Sequence, residues 1–240
     1  MNFNEYTEIL ISDEMKTLGK EIAESAIGAL SADPLAYKNL VQLIVKLPLS
    51  LREQFFWNKF YNFLHGIYLP SDKTIAMSNT LFSNEKNARK NALRIVEAIG
   101  KIETEESLQF VINATRSCLI GLIDTIDYFR IVKAITDTLY EDLIYLSEHI
   151  TEGEYYKGNV QILALERSGL MIRAGIDGNE DVETQNYVFT TLGKMVDRYA
   201  ISFEDEERLE WYKENSKSSR LFDDGITAIT PDKIDELFKE

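Results

Sequence analysis

Residues 107–150, SLQFVINATRSCLIGLIDTIDYFRIVKAITDTLYEDLIYLSEHI, decide the fold class. Leu108, Val111, Thr115, Leu119 and Leu122 recur at steps of three or four. Phe129, Val132, Ile135, Leu139, Leu143 and Leu146 do the same. On a 3.6-residue helix each set lies along one side, and only packing against another element removes that side from water. The stretch therefore predicts two apolar-faced helices joined at Gly121-Leu122-Ile123-Asp124.

Upstream the same grammar continues. Thr104-Glu105-Glu106 supplies a cap and two carboxylates for the positive end of the first helix. Asn84 to Ile102 predicts a helix buried along Ala88, Ala92, Ile95, Ile99 and Ile102. Ser50-Leu51-Arg52-Glu53 is a capping box that opens the most aromatic helix, LREQFFWNKFYNFLHGIYL. Phe56, Phe60, Phe63 and Ile67 form its main stripe, with Trp57, Tyr61, Leu64 and Tyr68 beside it. So wide an apolar face predicts a helix packed on two sides, or one whose Trp57, Tyr61 and Tyr68 also meet a partner. Residues 1–32 add an amphipathic helix through Met15, Leu18 and Ile22. Asp33-Pro34 opens another that carries Leu40, Val41, Ile44 and Val45.

After Ile150 the pattern changes. Lys157 to Ser168 reads as a helix closed by Gly169, and Leu170 to Ala174 as a strand. Gly175 to Gln185 is a polar loop, Asn186 to Thr190 a second strand, and Leu192 starts another helix. Leu165-Glu166-Arg167-Ser168-Gly169-Leu170-Met171 and Tyr187-Val188-Phe189-Thr190-Thr191-Leu192-Gly193 resemble two phrases common in winged-helix proteins, L-x-x-x-G-L-[IM] and Y-x-[LF]-T-x-x-G. The resemblance covers about Lys157 to Tyr199 and implies fold rather than function. Phe56-Trp57-Asn58-Lys59-Phe60-Tyr61-Asn62-Phe63-Leu64 loosely fits F-x-x-K-x-x-x-F-L. With the hairpin that follows, it resembles a diffuse set of uncharacterised bacterial and phage proteins, a likeness that implies a phage–host setting and carries no activity.

The expected fold is mainly α. A multi-helix, bundle-like domain spans 1–151, and a winged-helix-like α+β module with one β-hairpin spans 152–203. An acidic tail with a short terminal helix, Asp232 to Glu240, spans 204–240.

Composition narrows the functions. The chain has 240 residues, 45% hydrophobic, enough to bury a core. Its single cysteine, Cys118, forbids an internal disulfide and fits a reducing compartment. No basic segment followed by an apolar core opens the chain, and runs such as Cys118–Ile123 fall short of the roughly 18 residues that a membrane span needs. A cytoplasmic location without membrane contact is expected. The net charge of −14 favours solubility and opposes nucleic-acid affinity, which rests on cations displacing counterions from phosphates.

No catalytic constellation emerges. His65 and His149 have no second His or Cys at zinc-site spacing, and Cys118 sits among apolar neighbours. Asp177-Gly178-Asn179-Glu180-Asp181-Val182-Glu183 resembles half of an EF-hand loop, but Val182 replaces its Gly and Val188 its closing Glu. That loop reads as a hairpin wing whose Asp177, Glu180, Asp181 and Glu183 would repel a phosphate backbone. DNA contact, the alternative, would rest on Lys157, Asn159, Gln161, Arg167 and Arg173. The expectation is a non-enzymatic interaction or regulatory protein without metal or cofactor. Its partner is a protein, with self-association as one form of that contact.

Overall fold

The computed structural model describes residues 51–67, 81, 85–151, 155–174 and 185–216, together with the isolated positions 25, 28, 39 and 42. The expected helices within 1–48, the wing residues 177–183, Tyr68 and the terminal helix from Asp232 lie outside the described residues. The chain divides into two compact units, Met1–Ile102 and Glu103–Glu240. The described parts are mainly helical, with one small antiparallel sheet. None of their helices is long and apolar enough to cross a membrane.

In the first unit α1 (Leu51–Ile67) packs on α2 (Glu85–Lys101). The expected stripe is the buried one: Phe60 and Phe63 are fully enclosed, and Phe56 and Ile67 nearly so. Ala92, Ile95, Ile99 and Ile102 answer from the second helix. Two side chains satisfy backbone carbonyls there. Lys59 Nζ donates to the Ile102 carbonyl at 2.7 Å, placing a cation where the helix dipole is negative. Asn91, itself buried, donates to the Leu81 carbonyl at 2.7 Å.

The second unit is built on α3 (Glu105–Leu119), nearly all of it buried after the first turn. Thr104 caps it by accepting from the Ser107 N–H at 3.1 Å. It ends in a Schellman turn: Leu122 N–H reaches the Ser117 carbonyl and Gly121 N–H the Cys118 carbonyl, with Gly121 at φ +79. Asp124 then caps α4 (Thr125–Thr136) through the Asp127 N–H at 2.8 Å.

The expected second long helix is two helices. α4 stops at Thr136, and α5 (Tyr140–His149) starts after Leu139. The cause is the polar triplet Thr136-Asp137-Thr138. The Thr138 hydroxyl takes the Ala134 carbonyl that its own N–H would reach in a continuing helix, that N–H turning to Ile135, while the Thr136 hydroxyl joins the Asp137 N–H on the Lys133 carbonyl. Leu139, expected in the core, is instead the 62% exposed N-cap of α5.

Next come β1 (Tyr156–Lys157), α6 (Val160–Arg167), β2 (Met171–Arg173) and β3 (Asn186–Phe189). The sheet order is β1-β3-β2, antiparallel throughout, with Tyr156 opposite Tyr187 and Ile172 opposite Val188. Met171, Tyr187 and Phe189 face inward. A second Schellman turn closes α6, with Gly169 at φ +77.

Thr190 caps α7 (Thr191–Val196) by accepting from the Gly193 N–H, while its own hydroxyl donates to the Gly169 carbonyl at 2.8 Å. The chain runs on into a π-helix, Asp197–Ile201, and then α8 (Glu206–Ser216). Two polar residues of α3 face the π-helix: Asn113 donates to the Ala200 carbonyl at 2.8 Å and Ser117 to the Tyr199 carbonyl at 2.9 Å. The helices α3 to α5 thus share a core with the elements after residue 151, and the compact units part after Ile102.

Candidate functional site

The five residues named for DNA contact do not form one cationic face. Lys157 is exposed on β1, and Gln161 and Arg167 are exposed in the first and last turns of α6. Asn159 is occupied locally: its Oδ1 accepts from the Ile162 N–H at 2.8 Å, capping α6, and its Nδ2 donates to the Tyr145 hydroxyl at 3.1 Å. Arg173 donates from Nε to Glu166 Oε1 at 2.9 Å, which holds the guanidinium in its charged form and balances that charge.

The outer face of the sheet has another character. Burial alternates along β3, so Asn186 and Val188 point away from the core, and their partners Lys157 and Ile172 share that face. Tyr155, one residue before β1, alternates onto the Lys157 side. With the order β1-β3-β2, Tyr155, Val188 and Ile172 make an apolar row across the three strands. Tyr155 is 61% exposed and Ile172 55% exposed. Val160, which opens α6, is 81% exposed.

On α1, the expected partner surface is split. Trp57 is half-buried, its ring edge-on to Phe56 and Phe60 at centroid distances of 5.1 and 5.7 Å. Tyr61 is exposed, beside His65.

Asp197 anchors a polar cluster that sequence reasoning missed. Its carboxylate is completely buried and accepts from Ser147 at 2.7 Å, Ser202 at 2.9 Å and Tyr212 at 2.9 Å. Burial pushes its pKa above the ordinary carboxylate range, and the Ser147 hydrogen bond with the nearby Arg208 charge pulls it partly back. The contacts tie together α5, the π-helix and α8. A carboxylate closed to solvent cannot meet a substrate, so the cluster holds elements in place. Its members lie 50 and 15 residues from Asp197, beyond any local pattern.

The remaining reactive side chains have ordinary surroundings. Burial, reinforced by the charge of Asp124, pushes the Cys118 thiol up to about 12, leaving it unreactive. His149 donates from Nδ1 to the Tyr145 carbonyl and stacks on the Tyr145 ring at 3.9 Å. Among the described residues no group of three or more His, Cys, Asp and Glu could hold a metal ion. Comparison with family models, curated proteins and solved structures gave no match to this chain.

Proposed function

We propose that this chain is a non-enzymatic, mainly helical interaction or regulatory protein, and that its winged-helix-like module binds another protein. The order helix, strand, strand, helix after residue 157, with a short strand completing the sheet, supports the module. The single observation that carries the function is the apolar row Tyr155, Val188 and Ile172 on the outer face of the sheet. Exposed Tyr155 and Ile172 flanking the half-buried Val188 suit a partner's apolar surface better than a phosphate backbone.

DNA regulation, the alternative, draws support from the exposed Lys157, Gln161 and Arg167. The Arg173–Glu166 ion pair and the capping role of Asn159 weigh against it. Two measurements separate these readings. Duplex DNA at about 150 mM salt should bind no tighter than the weak non-specific range, roughly 10⁻⁴ M. Affinity capture from the native host, with nuclease present, should recover a protein that the triple variant Tyr155→Ser, Ile172→Ser, Val188→Ser no longer retains. Nanomolar, sequence-specific duplex binding by the unaltered protein would establish the alternative.

A further inference from the structure

Helices shorter than about 12–15 residues are marginal in water by themselves, so α8, with 11 residues, depends on its docking. Among the described residues of α8, Tyr212 alone is buried. Leu209 and Trp211 are half-buried, and Glu206, Glu207, Glu210 and Glu214 are exposed.

The two oxygens of Asp197 serve different parts of the unit. Oδ1 accepts from Ser147 of α5 and from Ser202, the residue after the π-helix. Oδ2 accepts from Tyr212 at 2.9 Å and lies 3.7 Å from Arg208 Nη1, both on α8. The donors on Oδ1 therefore stay with the carboxylate if α8 leaves, and the groups on Oδ2 go with the helix. The turn that carries α8 is fixed separately. Asp205 N–H closes it on the Ser202 carbonyl, Arg116 of α3 donates to Glu204 at 2.9 Å, and the same guanidinium lies 5.4 Å from the Phe203 ring centroid.

The closed joint also withholds water from groups that need it. Arg208 Nη1 and Arg198 Nε are buried and find no acceptor among the described residues. Arg198 lies against the ring that docks α8, its guanidinium carbon 5.8 Å from the Tyr212 centroid. Burial holds the Asp197 carboxyl above its ordinary range. Two unanswered donors and one desolvated acid thus line the seam, and all three gain hydration when it parts.

We infer that α8 is a strap that swings as one body on the turn Ser202–Asp205, parting from Asp197 at Tyr212 and Arg208 while α3 to α5, the sheet and the π-helix stay folded. Opening uncovers a carboxylate and a guanidinium, Asp197 and Arg198, that the closed chain hides. Segments that move in this way come from the low end of a protein's local stabilities.

Native-state hydrogen exchange on the full chain, in urea below the unfolding transition, tests the strap. The amides of Leu209 to Lys213 should share one opening, with a lower free energy and a shallower urea dependence than those of Val111 to Thr115 in α3. Tyr212→Phe should speed exchange in α8 by roughly tenfold or more, because the lost hydrogen bond exists only in the closed form. Ile131→Val, at a fully enclosed position of α4, acts on packing that persists in the open form. It should speed exchange in α3 and leave that of α8 unchanged within about twofold. Exchange of α8 only together with α3, at one urea dependence, overturns the strap. So does fraying of its amides one by one without a shared opening, or an equal effect of Ile131→Val on both helices.

Discussion

Gly193 packs so closely on Leu170 that a Cβ on the glycine would stand 2.4 Å from the Leu170 carbonyl oxygen. The two sequence phrases around Gly169 and Gly193 are therefore one joint. The turn after α6 exposes the Gly169 and Leu170 carbonyls, the Thr190 hydroxyl donates to the first, and the missing side chain of Gly193 admits the second. On an open helix Gly193→Ala would stabilise by up to roughly 1 kcal/mol. Here it should destabilise by about 2 kcal/mol or more, because the neighbour is backbone and cannot swing aside. Urea denaturation decides, and a stabilised alanine variant would refute the close approach.

Two leucines from the deciding stretch should behave in opposite ways. Leu119 is 2% exposed, and Leu119→Ala should cost roughly 2–5 kcal/mol. Leu139 is 62% exposed and caps α5 without a side-chain hydrogen bond. Leu139→Ser should therefore supply a missing cap and stabilise by about 0.5–1 kcal/mol. Equal, large losses for both in chemical denaturation would restore a single long helix through Leu139.

Acid should strengthen this fold before it weakens it. Burial holds the Asp197 and Asp142 carboxyls above their ordinary values, so the folded chain keeps these protons to a higher pH than the unfolded chain does. Their contribution is complete below the unfolded value of about 3.9 and is lost as pH rises through the folded values. The urea midpoint should rise as the pH falls from neutral towards the unfolded carboxyl value, and by less in Asp197→Asn. That variant keeps one oxygen for the Ser147 and Ser202 hydroxyls but sets an amide NH2 against the Tyr212 hydroxyl, and should be less stable at every pH, by roughly 1–3 kcal/mol at pH 7. A midpoint that falls over that range contradicts this account.

Cys118 offers a probe of opening. A thiol raised from 9.0 to about 12 has roughly a thousandfold less thiolate at neutral pH. Labelling by a thiol reagent should follow the unfolding rate rather than the reagent concentration. Rapid, concentration-dependent labelling of the native protein would place the thiol near the surface.

What local pattern encodes, the sequence displays. Thr104 and Asp124 cap the helices they precede, Gly169 ends α6, and Phe56, Phe60 and Phe63 bury the stripe that their spacing predicts. Periodicity failed at Leu139, because the Thr138 hydroxyl took over the Ala134 carbonyl that a continuing helix needs. It was silent about Asn113, Ser117, Ser147, Asp197 and Tyr212. A polar residue in a helix is read as solvent-facing unless its acceptor is known, and these acceptors come from distant parts of the chain. The apolar row of the sheet also needed the register, since Tyr155 and Ile172 are unremarkable until β3 is set between them.

The hydrogen bonds from α3 to the π-helix also set a schedule for the newborn chain. Asn113 reaches an acceptor 87 residues further on, and Ser117 one that is 82 further on. At roughly 5–20 residues per second, a ribosome needs about 4–17 s to deliver those carbonyls after α3 has been made. Throughout that interval the central helix carries both its apolar side and two unanswered polar groups. The helix made early in this unit is thus finished late.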